Sequence, residues 1–179
     1  MPDTTNVSNT TISLTDGSSL IVTGSNDTVL VNAGWVQFNA PGGNITVNGT
    51  HDTVSIVSSS SSAVVNGDAN ILIVAGNNDT VTATGTSNIV TIFGLSDRVT
   101  LNGDAASVTL TGNASFTNLT LTGAGDSVKI DGGTSGISGS TITTSSATSF
   151  TLTGTAASAT INGSNETVAI TGVQNGVTL

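Results

Sequence analysis

The chain has 179 residues, a net charge of −9, 7% charged and 3% aromatic residues, and no cysteine. Its only basic side chains are Arg98 and Lys129, too few for the Lys and Arg contacts that hold nucleic-acid phosphates or an anionic membrane, and no apolar run approaches the ~20 residues of a membrane helix. Without cysteine there is no disulfide staple and no thiol to oxidise, which suits an exposed, extracellular setting.

The N-terminal stretch Met1 to Thr11 lacks the basic and apolar regions of a conventional signal peptide. The first strand-like triplets are Ile12-Ser13-Leu14 and Leu20-Ile21-Val22. Trp35 to Gly43, holding Trp35, Phe38 and Pro41, departs from the pattern, and the serine run Ser58 to Ser62 stands where a glycine is due. Glycine then returns every nine residues at Gly67, Gly76, Gly85, Gly94, Gly103 and Gly112, and the same spacing recurs at Gly123 and Gly132 and at Gly154, Gly163 and Gly172. Five residues after most of these glycines stands an apolar residue, followed two residues on by a second, as in Val99-Thr100-Leu101. Two extra residues enter before Leu119, and Gly133 to Ser149 loses the frame before Phe150. The last repeat ends at Val177-Thr178-Leu179.

A repeat this short predicts a solenoid, in which each unit buries its apolar face only by stacking on its neighbours. V-x-L has period two: the apolar pair points inward and the middle residue, Thr82, Thr91, Thr100 or Lys129 among others, points to solvent. The Gly-x-x-Asp segment turns the chain, with Gly expected to supply a positive φ. Three residues after the first apolar position, Asn48, Val57, Asn66, Ala75, Thr84, Phe93 and Asn102 alternate between polar and mostly apolar. That gives a period of eighteen, hence two units per coil, with Asn48, Asn66 and Asn102 stacked as an amide ladder. The expected fold is a single-domain, all-β, two-sided parallel β-solenoid over residues 1–179, about 45 Å long at ~4.8 Å per coil. A narrow interior disfavours aromatics, so Trp35, Phe38, Phe93, Phe116 and Phe150 are expected at irregular corners or as caps.

Two residues before the apolar position lie Asp27, Asp52, Asp79, Asp97 and Asp126, with Asn70, Asn88 and Glu166 in equivalent places. The segments Gly24 to Val29 (GSNDTV), Gly76 to Val81 (GNNDTV) and Gly123 to Val128 (GAGDSV) resemble the RTX nonapeptide G-G-x-G-x-D-x-U-x. The resemblance covers most of the chain in its D-x-U part. The recurrent glycine here stands three residues before the Asp, where that family has glycines two and four before it. The resemblance implies a parallel β-roll of two nonapeptides per coil, secretion without an N-terminal signal, and Ca2+ held in the turns by the five Asp carboxylates and backbone carbonyls. Carboxylates on alternate turns would feed one row of such sites. The other reading is that Asp and Asn simply close turns.

Threonine pairs such as Thr82/Thr84, Thr109/Thr111, Thr120/Thr122 and Thr151/Thr153 suggest an ice- or surface-binding face, although an eighteen-residue coil distributes them over both sides. Asn-x-Ser/Thr sequons, among them Asn9, Asn26, Asn78 and Asn165, are candidate glycosylation sites. His51, the single histidine, makes no transition-metal site, and no nucleophile–base pair or acid–base cluster marks an enzyme. The open strand pattern at the C-terminus predicts an unpaired edge. Its simplest partner is another copy, meeting head to tail through Ile12, Leu14, Val177 and Leu179 and generating a fibre; the other reading is that the chain is a fragment of a longer solenoid whose neighbouring coils cover these edges. The expected role is an extracellular or cell-surface structural protein of a matrix, sheath or surface layer. Self is the main partner and cell-surface polysaccharide a second partner class. A Ca2+-binding RTX-like module or adhesin is the alternative.

Overall fold

The computed structural model describes residues 2–133, 136–146 and 148–179. Among these residues there is no helix. Twenty strands follow one another: β1 (Asp3–Thr5), β2 (Thr11–Ser13), β3 (Ser19–Val22), β4 (Asp27–Leu30), β5 (Trp35–Phe38), β6 (Asn44–Asn48), β7 (Thr53–Ile56), β8 (Ser62–Asn66), β9 (Ile71–Val74) and β10 (Thr80–Thr84). The second half comprises β11 (Ile89–Ile92), β12 (Arg98–Asn102), β13 (Ser107–Thr111), β14 (Asn118–Leu121), β15 (Ser127–Asp131), β16 (Ile137–Thr144), β17 (Ser149–Thr153), β18 (Ala157–Asn162), β19 (Thr167–Ile170) and β20 (Gly176–Thr178). Odd-numbered strands form one ten-stranded parallel sheet and even-numbered strands a second. Each coil therefore contributes one strand to each sheet, and the chain is a β-solenoid of ten coils.

The expected period is met in the central coils, where Ile71 pairs with Ile89 and Ile89 with Ser107, each eighteen residues on. The β-branched residues that favour a pleated surface alternate in and out. In β11, for instance, Val90 and Ile92 are buried while Ile89 is exposed and Thr91 lies half-covered between neighbouring rungs. The core is a single stacked column between the sheets, built from residues such as Val22, Val54, Leu72, Val90, Leu110 and Ile130. Burial comes from stacking coil on coil, as a solenoid requires.

The departures from register are only partly where the sequence suggested. Trp35 to Gly43 and Ser58 to Ser62 keep the eighteen-residue register, with Val36 opposite Val54 and Asn44 opposite Ser62; the short coil lies earlier, where Leu20 pairs with Val36. The two extra residues before Leu119 are accommodated as a turn that leaves Arg98 opposite Asn118. The long coil after Gly133 brings Asn118 opposite Thr141, with a register shift between Ile137 and Ser140. Within that irregular stretch, residues 134, 135 and 147 lie outside the described residues, as does residue 1.

Two aromatics overturn the expectation that rings are kept out of the interior. Phe38 and Phe150 are fully buried at ordinary inward strand positions. The Phe38 ring fits because Gly43 has no side chain: a Cβ there would stand 3.0 Å from Phe38 Cζ. Phe93 and Phe116 lie outside the core, and Trp35 is half-buried at an outward position.

Candidate functional site

The chemistry-bearing residues of this chain sit in the turns, and the turns share one design. In Gly94-Leu95-Ser96-Asp97 the glycine lies directly over the preceding coil, so that a Cβ would overlap the carbonyl oxygen of Gly76. Gly76 overlaps Ser58 O in the same way, and Gly85 overlaps Gly67 O. The nine-residue glycine thus permits close stacking of backbones. Positive φ is a second demand at Gly85 (φ 117°) but not at Gly94. The left-handed residue common to the turns is the one just before the Asp position: Ser96 at φ 60°, Asn78 at 58°, Ala105 at 58° and His51 at 61°. The sequence reading placed the positive φ on the glycine. The structure bears this out at Gly67, Gly85, Gly103 and Gly112 but not at Gly76 or Gly94, and adds a left-handed step two residues after most of these glycines, on non-glycine residues.

The Asp column is a hydrogen-bond ladder directed toward the preceding coil. Asp97 Oδ1 accepts from the Asp79 backbone N–H at 2.9 Å, and Asp79 Oδ1 accepts from Ser61 N–H at 2.7 Å. On the opposite turns Asp52 Oδ1 accepts from Gly34 N–H at 2.8 Å, Asn70 Oδ1 from Asp52 N–H at 2.8 Å, and Asn88 Oδ1 from Asn70 N–H at 2.9 Å. Asp126 Oδ1 takes Ala106 N–H at 2.9 Å, and Asp27 Oδ1 takes Thr10 N–H at 3.0 Å. Side chains thereby satisfy turn N–H groups that strand pairing leaves over.

The five acids do not form one row. Asp52 and Asp126 stand on turns leading into the first sheet, three coils deep in Asn70, Asn88 and Ala106 between them. Asp79 and Asp97 stand on turns leading into the second sheet and are neighbours through the pairing of Thr80 with Arg98, whereas Asp27 is the first residue of strand β4 in that sheet. Asp27 has Ile45 as its register partner. Among the described residues no three His, Cys, Asp or Glu side chains come together.

All five are buried, and their Oδ2 atoms have no hydrogen-bond partner among the described residues. The Asn members of the ladder show what surrounds that second atom. Asn70 Nδ2 donates to Gly67 O at 3.0 Å and Gly49 O at 3.2 Å, and Asn88 Nδ2 donates to Gly85 O at 3.1 Å. In an Asp the corresponding oxygen faces acceptors without a proton to share. Burial pushes the Asp79 carboxyl up to about 6 and that of Asp97 to about 7, against partial relief from the backbone N–H groups of Ser61 and Asp79 respectively. Asp52 and Asp126 are raised for the same reason. Offered to Ca2+, each Asp brings one uncommitted oxygen. The remaining ligands of the six to eight that calcium takes would have to come from turn carbonyls and water.

A second ladder, missed in the sequence, runs on the outside in the opposite direction. Asp68 Oδ1 accepts from Thr86 N–H at 2.7 Å, Asn77 Oδ1 from Leu95 N–H at 2.7 Å, and Asp104 Oδ1 from Ala124 N–H at 2.8 Å, each in the following coil. The signal was an Asp or Asn directly after a glycine. The predicted amide ladder is present in part: Asn66 Nδ2 donates to Asn48 Oδ1 at 2.7 Å, and Thr84 Oγ1 continues it to Asn66 Oδ1 at 2.7 Å. Thr122 Oγ1 donates to Asn102 Oδ1 at 3.0 Å one coil farther on. In the serine run, Ser58 and Ser61 are buried with their hydroxyls 2.9 Å apart, filling a turn that lacks its glycine. His51 is an exposed turn residue. The threonine pairs divide between faces, Thr82/Thr84 on the second sheet and Thr109/Thr111 on the first.

Of the assembly residues, Ile12, Leu14 and Val177 are partly buried against the end of the core, and Leu179 is 80% exposed. No protein family, curated protein or solved structure matches this chain.

Proposed function

We propose that the protein is an extracellular structural solenoid that stacks end to end into filaments of a matrix, sheath or surface layer. The observation that supports this reading is the stacking itself: every coil sits on the next through parallel strand pairing in both sheets, and the same pairing can join one copy to another. Among the described residues β19 pairs with β17 and β20 with β18, and the opposite edge of each is the surface on which a further coil stacks, whether of a longer chain or of a second copy. Ile170 is 50% exposed, whereas its register partner Leu152 is wholly buried. An open parallel rung with apolar inward positions recruits another strand.

The first coil offers the complement unevenly. In the second sheet, Ile12 and Leu14 would meet Val177 and Leu179, apolar against apolar. In the first sheet, Asp3 and Thr5 occupy the inward register positions of Leu20 and Val22 and would meet Val168 and Ile170. The contact is heterologous and does not close, so it extends into a fibre. Cell-surface polysaccharide, the second partner class, would contact the hydroxyl-rich faces of such a rod. Light scattering against concentration tests the reading: the wild-type protein grows into open-ended polymers and Val177→Asp does not, with unchanged circular dichroism. Polymer growth that survives Val177→Asp would remove the end-to-end contact from the account.

The five unpartnered Oδ2 atoms favour one second reading, an RTX-like module in which Ca2+ occupies the turns. It requires heat on calorimetric titration with Ca2+ and a loss of that heat in Asp79→Asn/Asp97→Asn. A titration without heat would dispose of it.

A further inference from the structure

The two outer faces of the solenoid differ. Across the middle of the first sheet most outward positions are apolar: Ile71, Ile73 and Ala75 on one rung, Ile89 and Phe93 flanking Thr91 on the next, and Val57 after Thr53 and Ser55 on the rung before. Ile89 is 48% and Phe93 43% exposed. β9 is therefore apolar on both sides (Ile-Leu-Ile-Val), which core packing does not demand. The same rungs of the second sheet carry Thr80, Thr82 and Thr84, then Arg98, Thr100 and Asn102. In a chain of net charge −9 the outward positions of β7, β9, β11 and β13 bear no charge; the nearest on that face are Lys129 and Asp131, paired to each other at 3.0 Å.

We infer that the first-sheet face is a lateral dimerisation surface whose partner is a second copy of this chain, laid face to face and antiparallel. Three features select a second copy. The apolar rungs β9 and β11 are the fifth and sixth of ten strands in that sheet. A two-fold axis running along the strands midway between them therefore superposes all ten rungs of one copy on those of the other. About that axis each β9 position faces the β11 position of the second copy at the same point along the strand. Ala75 then receives Phe93 of the second copy, small against large, and Ile71 meets Ile89. This is the self-complementarity that an isologous interface requires.

The area also suffices. Ten rungs at ~4.8 Å, three outward side chains wide, cover about 700 Å² per copy. The total of about 1,400 Å² lies within the range of stable specific interfaces. An apolar centre with a largely polar rim, including Gln37, Thr109 and the Lys129–Asp131 pair, matches the usual anatomy of such contacts. The face is independent of the end rungs, so lateral pairing and end-to-end stacking stand or fall separately.

Lateral pairing is read in protein carrying Val177→Asp, in which end-to-end stacking is removed. Sedimentation equilibrium should show a closed dimer of that protein, at least tenfold weaker dimerisation when Phe93→Asp is added, and unchanged dimerisation when Val64→Asp, on the second sheet, is added instead. A monomer at every concentration, a dimer that ignores Phe93→Asp, or one weakened equally by Val64→Asp would each overturn the inference.

Discussion

Asp97→Asn should stabilise the solenoid at neutral pH, and the structure sets both the sign and the size. The folded carboxyl is pushed by burial to about 7, from an ordinary value of 3.8, with the adjacent Asp79 adding to the rise. Below about pH 4 the group is neutral in folded and unfolded chains, and its contribution to stability is fully present. Between about 4 and 7 only the unfolded chain ionises, and stability falls. Above 7 the loss is complete. A shift of about three units corresponds to at most about 4 kcal/mol, and relaxation of a turn this close to the surface reduces it to roughly 2 kcal/mol. Asparagine keeps the acceptor for Asp79 N–H and gains a donor to Gly94 O, as Asn88 donates to Gly85 O. Around Asp97 the ladder places Asp79 before it and uncharged Thr117 after it, while Arg98 points to solvent. Urea unfolding in EDTA, followed by far-UV circular dichroism at pH 4 and pH 8, should show the wild type losing stability with rising pH and Asp97→Asn losing less by about 2 kcal/mol. The difference between the two proteins is the diagnostic quantity, because growing net charge also destabilises the wild type. Equal stability of the two at pH 8, or a less stable variant there, would refute the reasoning.

Other substitutions test the turn design. Gly94→Ala places a methyl on Gly76 O and should abolish folding or cost more than about 3 kcal/mol. Gly125→Ala, with open space and φ 72°, should cost only about 1–2 kcal/mol; a reversed order would contradict the close-approach role of the recurrent glycine. Ala105→Gly relieves a left-handed non-glycine residue and should raise stability by about 0.5–1 kcal/mol in the same urea assay. Asn66→Ala interrupts the ladder between Asn48 and Thr84 and should lower stability by about 1–2 kcal/mol, whereas a loss below experimental error would show that water replaces the ladder.

The eighteen-residue coil was legible because a solenoid prints its geometry directly on its sequence. Val-x-Leu marks the strands, and the alternation from Asn48 to Asn102 distinguishes two sheets. The Asp column was read as one although the eighteen-residue period already divides it: Asp79 and Asp97 are one coil apart, whereas Asp52 stands twenty-seven residues, one and a half coils, before Asp79. Its chemistry was hidden because the N–H groups accepted by Asp79 and Asp97 belong to residues eighteen positions earlier. The purpose of the glycine was legible only in part, because a positive φ and a close approach between coils both select glycine. Gly85 and Gly103 meet both demands, whereas Gly76 and Gly94 meet only the second and leave the left-handed step to Asn78 and Ser96. Phe38 escaped the sequence reading because its space is created by Gly43, which lies across the turn.

Negative-stain electron microscopy of the purified protein, in EDTA and in Ca2+, tests end-to-end stacking most directly. The account predicts filaments one or two coil-widths across in both conditions, lengthening with concentration and absent in Val177→Asp. Uniform single particles in both conditions would contradict it.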